Sequence, residues 1–256
     1  MGIGESDLVF LHSGVSGIGY AKDLLGLILN TFSRLLPKGT LIVPTFTYNW
    51  SQGEEFEVLK TACKDLGALA KLASTDPRFS RLNHPLFSVA ALQNSYNADL
   101  IRQLFDIDCS CFSKNSFFGN FYRISKQLKA WILLFGGAFT RSMFEATQVH
   151  FVQEEYGCLH RLHKKIYNPK NSSEFFTYFG RILNLGEYQQ VHPGRHPNFP
   201  LPALEDYSEN AKDLVKLKLM VRAPLFASVS RMVRVDQFCD LFREKSGLDP
   251  YYCLKS

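Results

Sequence analysis

The chain has no lysine- or arginine-rich block, no low-complexity tract and no internal repeat. It also lacks any apolar run of the roughly 18–20 residues that a membrane span needs. The first absence removes the basic stripe interleaved with aromatics that marks a nucleic-acid binder. The last removes a membrane-spanning anchor. No N-terminal segment combines the basic, apolar and cleavage regions of a signal peptide, so a cytoplasmic location is expected. Paired C-x-x-C knuckles are missing too. The cysteines, Cys63, Cys109, Cys111, Cys158, Cys239 and Cys253, are scattered, and Cys109-Ser-Cys111 is too tight for the common zinc spacing. Reduced, mostly buried thiols fit that pattern. His192-x-x-x-His196 has a helical metal spacing, but Pro193 and Pro197 argue against a helix there, and no metal is expected.

What is present is ordinary for a globular protein: 256 residues, 46% hydrophobic and 21% charged. That length supports a sizeable core, and a single layered domain over 1–256 is the economical arrangement. The net charge of +5 favours an anionic ligand slightly, although a solvated surface explains it equally well. Phenylalanine is abundant at 22 residues, which suits a Phe-rich core. The sequence fixes no oligomeric state and is compatible with a homo-oligomer.

In chain order, Asp7-Leu-Val-Phe-Leu11 reads as a buried strand. It empties into His12-Ser-Gly-Val-Ser-Gly-Ile-Gly19, a flexible loop rich in free backbone N–H groups, followed by helical apolar spacing from Ala21 to Leu36. Strand, Gly/Ser loop and helix is an arrangement that can surround a phosphate, and a plain tight turn is the alternative. Gly39-Thr-Leu-Ile-Val-Pro-Thr-Phe-Thr47 is a second parallel-type strand ending at Pro44. Its carboxyl end makes Thr45 and Thr47 candidate site hydroxyls. The stretch Arg78-Phe-Ser-Arg-Leu-Asn-His-Pro85 reads as a loop in which Arg81 and His84 could meet phosphate oxygens, before a strand at Leu86–Ala91. Ala98–Phe105 reads as helix and Asp106–Asn120 as loop. Trp131-Ile-Leu-Leu-Phe135 is the clearest strand. Phe175–Leu183 reads as an antiparallel addition to the sheet. A helix over Tyr207–Met220, a strand at Val229–Arg234 and a helix at Asp236–Lys245 complete the pattern.

The stretch Thr147-Gln-Val-His-Phe-Val-Gln-Glu-Glu155 carries the best candidate chemistry. If it is helical, His150 and Glu154 lie one turn apart on one face. Histidine suits proton transfer near neutral pH, and a neighbouring carboxylate can hold one tautomer and stabilise the charged ring. A surface helix with a chance His–Glu pair is the competing account. The following run, Leu159-His-Arg-Leu-His-Lys-Lys165, is basic.

Taken in order, the glycine-serine loop, the Gly39–Thr47 strand, Arg81-Leu-Asn-His-Pro85 and Thr147-Gln-Val-His150 resemble the aminoglycoside 3-N-acetyltransferase-like family, nearly end to end. The Asp249-Pro-Tyr-Tyr252 ending is similar to the branch associated with bacterial surface polysaccharides. The resemblance implies an α/β fold, a three-layer α/β/α sandwich around a mixed, partly parallel sheet. It implies acetyl-CoA as donor and an amine as acceptor. Ser13, Gly14, Val15, Ser16, Gly17, Ile18, Gly19, Thr45, Arg81 and His84 would line the coenzyme channel. His150 would be the general base with Glu154 as its carboxylate, and Thr147, Arg161 and Lys164 would face the acceptor. Three positions depart from the family pattern: Gly14 and Leu82 replace serines, and Gln153 stands where an acid usually follows the histidine. Arg161, Lys164 and Lys165 suit a nucleotide-linked amino sugar, whose phosphates are anionic. An aminoglycoside is the alternative acceptor, and a non-catalytic binder of coenzyme or sugar phosphate the alternative class.

Overall fold

Leu8-Val-Phe-Leu11 is apolar at every position, the pattern of a strand covered on both faces. A computed structural model describes residues 2–15, 18–19, 22–136, 148–225 and 228–254, and places this strand at the middle of a seven-stranded sheet. The first half of the chain contributes β1 (Leu8–Ser13), α1 (Leu24–Leu35), β2 (Thr40–Pro44), a 3-10 turn at Tyr48–Gln52, α2 (Ala68–Ala73), β3 (Phe79–Arg81), β4 (Val89–Leu92), α3 (Ala98–Phe105), α4 (Phe117–Ser125) and β5 (Ala130–Phe135). The second half contributes α5 (Gln148–Tyr156), β6 (Arg161–Asn168), β7 (Asn171–Arg181), α6 (Leu185–Val191), α7 (Ser208–Lys216), β8 (Met220–Leu225), β9 (Ser228–Arg234) and α8 (Val235–Leu248).

The sheet order is β3-β4-β2-β1-β5-β9-β8. β1 runs parallel to both β2 and β5, and antiparallel strands flank this trio on each side. Side chains of β1 alternate between two cores. Val9 and Leu11 pack with Ile28, Leu29 and Phe32 of α1 and with Leu69 of α2. Leu8 and Phe10 pack with α4, α5 and α8 through Phe117, Phe121, Val149 and Phe238. Helices therefore cover both faces, and the expected three-layer sandwich is the observed one. The abundance of phenylalanine belongs to this second core, where the Phe10 ring meets Phe117 at 5.6 Å and Phe121 at 5.9 Å between centroids.

Four segments differ from the sequence reading. Phe79–Arg81 is a short edge strand, not loop. α4 starts inside the stretch read as loop, capped by Ser116, whose hydroxyl accepts the Gly119 N–H at 3.3 Å. β7 does not extend the main sheet; it pairs with β6 in a separate two-stranded sheet. The helix read through Met220 ends at Lys216, and β8 begins at Met220. β8 carries Pro224, which an edge strand tolerates because one of its sides needs no partner.

Candidate active site

β1 and β5 are parallel neighbours in register, Ser13 opposite Phe135, so the segments that follow them leave the sheet at the same edge. In open α/β sheets that carboxyl edge is where ligands bind. The loop after β1 is tied to β5 by the Gly14 N–H, which donates to the Phe135 carbonyl at 2.9 Å. Gly136 sits beneath it at φ +63°, and a Cβ there would lie 2.5 Å from Ile18 Cγ1 and 3.0 Å from the Gly14 carbonyl oxygen. Only glycine lets the end of β5 approach the loop this closely. Ser13, Gly14, Val15, Ile18 and Gly19 thus stand at the carboxyl edge of the parallel strands. Ser16, Gly17 and Thr147 lie outside the described residues.

α5 brings His150 to the opposite end of the β5 connection. Its N-terminus is anchored by Gln148, whose amide donates to the Phe118 carbonyl at 3.0 Å, while Val149, Phe151 and Val152 are buried in the α4–α8 core. The His150 ring packs edge-on against Phe112, with centroids 5.1 Å apart. Its Nδ1 lies 2.8 Å from the Gln153 side-chain oxygen, so Nδ1 carries the proton and donates. The Gln153 NH2 in turn donates to Glu205 Oε1 at 3.1 Å and lies 3.3 Å from Cys253 Sγ. Glu205 also receives His160 Nε2 at 2.8 Å and both ends of the Arg161 fork, at 2.8 and 2.6 Å. Burial and the nearby Arg161 charge push His150 down to about 4, so its ring is neutral at physiological pH. Burial acts to raise Glu205, but the bonds from His160 and Arg161 outweigh it and hold the carboxyl ionised, far below the usual range.

The profile of the family described as aminoglycoside 3-N-acetyltransferase matches residues 10–244. The chain belongs to that family. No curated protein sequence matches it significantly. Among solved structures, the apoenzyme of aminoglycoside acetyltransferase AAC(3)-IVa superposes with TM-score 0.73 at 17% identity, covering 100% of this chain and 87% of its own. AAC-IIIb bound to CoASH superposes with TM-score 0.67 at 15% identity, covering 100% and 94% respectively. The YokD protein from Bacillus subtilis gives TM-score 0.63 at 15% identity, with 95% and 88% covered. As a member of the aminoglycoside 3-N-acetyltransferase family, the chain is an acetyl-CoA-dependent N-acyltransferase. No helix among the described residues is long and apolar enough to cross a membrane.

Against the family pattern, the remaining candidates fall in unexpected places. Glu154 does not meet His150. Its carboxylate lies 3.4 Å from both the Ser110 hydroxyl and His163 Nε2, and burial pushes it above the usual carboxylate range. The helical partner of His150 is Gln153, at i+3 instead of i+4. Arg81 is buried under Phe56 and spends its donors on the protein: Nε on Ser88 at 2.9 Å and Thr45 at 3.3 Å, Nη1 on the Thr61 and Ser74 carbonyls, Nη2 on the Thr45 carbonyl at 3.0 Å. Four of its five N–H groups are thereby used inside the fold, where the sequence reading had them on a phosphate. Thr45 is fully buried as part of the same knot. The His84 ring is buried against Phe176, its Nδ1 accepting the Leu86 and Phe87 N–H groups at 3.2 and 3.1 Å, and burial lowers it to about 3. A neutral ring of this kind offers no charge to an anion. Arg161 is locked on Glu205, and Lys164 on Glu187 at 2.9 Å. Glu205, His160 and Cys253 were not found from the sequence. Glu205 and Cys253 are far from His150 along the chain, while His160 lies just beyond its helix; the return of the C-terminal segment beside residue 205, where the Asp206 N–H donates to the Cys253 carbonyl at 2.7 Å, brings them together.

Proposed function

We propose that the protein transfers the acetyl group of acetyl-CoA directly to the amine of an amino sugar, with His150 as general base. The observation that carries this reading is the His150 ring, neutral and packed on Phe112, whose Nδ1–H is given to Gln153 and whose Nε2 keeps its lone pair. In the proposed step the amine nitrogen attacks the thioester carbonyl and its proton passes to Nε2; the carbon–sulfur bond then breaks, and the departing thiolate takes that proton back from Nε2 to leave as the free thiol. The glycine loop at the carboxyl ends of β1 and β5 supports binding of the coenzyme diphosphate there.

Two acceptor classes follow from different observations. The net charge of +5 favours an acceptor with phosphates, a nucleotide-linked amino sugar. The ion pairs of Arg161 and Lys164 remove the particular cations first assigned to that task. Glu154, one turn from His150, keeps a buried carboxylate oxygen, Oε2, without a hydrogen-bond partner, and this favours a polycationic aminoglycoside. Thiol release from acetyl-CoA, measured against nucleotide-linked amino sugars and kanamycin-type amines in parallel, separates them. Turnover of kanamycin-type amines alone refutes the nucleotide-linked acceptor. His150→Ala is expected to lower kcat about 10²–10⁴-fold with coenzyme binding retained. Full activity of that variant removes His150 from the mechanism.

A further inference from the structure

A side-chain amide has unlike ends, an acceptor oxygen and a donor NH2, and the end that faces a histidine decides that histidine's tautomer. Gln153 stands between His150 and Glu205, with its oxygen 2.8 Å from His150 Nδ1 and its NH2 3.1 Å from Glu205 Oε1. An ionised carboxylate only accepts. It therefore takes the NH2 end of the amide and turns the oxygen toward the ring. The oxygen requires a proton on Nδ1 and leaves Nε2 unprotonated. With the amide reversed, its NH2 would donate to Nδ1, the ring proton would move to Nε2, and His150 could take no proton from an amine.

We propose that Glu205 is a positioning carboxylate of this site, acting on His150 through Gln153 to hold the tautomer with a free Nε2. This rests on the reading of His150 as the base. Glu205 is well placed to impose an orientation because it is itself fixed. Arg161 grips it from both sides of the fork, His160 donates to Oε1, and its backbone bridges to Leu254. Arg161 is fixed in turn by donating to the Phe179 carbonyl at 2.6 Å. The charges around His150 are thus Glu205, Arg161 and, when protonated, His160. Since Arg161 largely offsets the carboxylate, what reaches His150 through the amide is a hydrogen-bond direction more than a negative charge. His160, Glu205 and Cys253 also offer ligand atoms within 4.8 Å of one another. A divalent ion among them would have to displace the Arg161 cation from the carboxylate, so the cluster reads as a hydrogen-bond relay and not as a metal centre.

The test uses the full chain labelled with 15N-histidine, with the His150 resonances assigned by their loss in His150→Ala. At pH 7 the wild-type ring is expected as the Nδ1–H tautomer. Glu205→Gln and Gln153→Leu are each expected to move it toward Nε2–H. Each should lower kcat about 10²–10⁴-fold with acetyl-CoA and the panel amine that turns over. Exchanging the two groups, Gln153→Glu together with Glu205→Gln, restores an acceptor at His150 and a donor behind it. That double variant is expected to recover the Nδ1–H tautomer and most of the lost kcat. A wild-type ring protonated on Nε2 overturns the proposal. So does a folded Glu205→Gln or Gln153→Leu protein with the Nδ1–H tautomer and full kcat, or a folded double variant as impaired as Gln153→Leu. If Glu205→Gln alone fails to fold because Arg161 loses its partner, the wild-type spectrum, Gln153→Leu and the double exchange still decide. A fully active His150→Ala sinks the general-base reading instead, and leaves the tautomer result standing.

Discussion

Arg81 illustrates how a charge read from sequence changes meaning once its surroundings are known. Its guanidinium holds together the end of β2, the segment before α2 and the return into β4, by bonding carbonyls and hydroxyls of Thr45, Thr61, Ser74 and Ser88. Burial lowers it to about 10, which still leaves it charged at neutral pH. Arg81→Ala strips partners from buried carbonyls and opens a cavity, so a loss of about 3 kcal/mol or more in urea unfolding is expected. A variant as stable as the wild type would return Arg81 to the role of a phosphate ligand. The sequence displays charge and spacing, and both were legible in this site. Burial and the identity of partners were not. The sequence singled out His150 from its place one helical turn before Glu154 and from the Thr147-Gln-Val-His150 segment. Its partner was misassigned because i+3 and i+4 are both near neighbours on a helix, and Glu154 is drawn away to Ser110 and His163. Glu205 lies 45 and 44 residues from the His160 and Arg161 side chains that hold it, beyond the reach of any local pattern.

Among the elements, those buried on both faces were the most legible. β1, β2 and β5 are continuous apolar runs, and α1 and α3 keep a helical period, so each declares itself locally. The edges were harder. β3 is only three residues long, and β8 is interrupted by a proline, which argues against a strand when read from sequence. β6 alternates as a strand should, but alternation does not say which sheet a hairpin joins. The junction between β5 and the glycine loop gives a prediction of its own. Gly136→Ala forces an alanine to φ +63° and drives its Cβ against Ile18 and the Gly14 carbonyl. The left-handed backbone costs about 1–2 kcal/mol by itself. The loop must also shift away from β5. Thermal unfolding should move down by a few degrees, and the KM for acetyl-CoA should rise several-fold if the loop grips the coenzyme. An unchanged KM in the folded variant would detach the loop from coenzyme binding.

For the molecule as a whole, the distribution of buried titratable groups sets how it responds to acid. Burial lowers His12 and His150 to about 4 and His84 to about 3, against 6.5 when unfolded. Between pH 6.5 and about 4 the unfolded chain therefore binds protons that the folded chain refuses. Stability is full above about pH 6.5 and falls as pH drops through that window, at up to about 1.4 kcal/mol per pH unit for each such histidine. Glu205 acts in the same direction lower down, because its carboxyl stays ionised in the fold after the unfolded one is protonated near 4.5. Glu154 opposes both: its raised value makes the folded chain take up a proton first, which offsets part of the loss. Three histidines against one carboxyl leave a net fall. The urea midpoint is expected to drop steeply between pH 6.5 and 4.5 and to be flat from pH 7 to 8. A midpoint constant down to pH 4.5 would mean that the three rings are already charged, or free to turn to solvent, inside the native fold. Replacing His84 by glutamine, whose side-chain oxygen can still accept the Leu86 and Phe87 N–H groups, should flatten the fall by the share of one histidine. The same measurement bears on the chemistry, because a His150 that stays neutral through this range keeps Nε2 available for proton uptake wherever the protein remains folded.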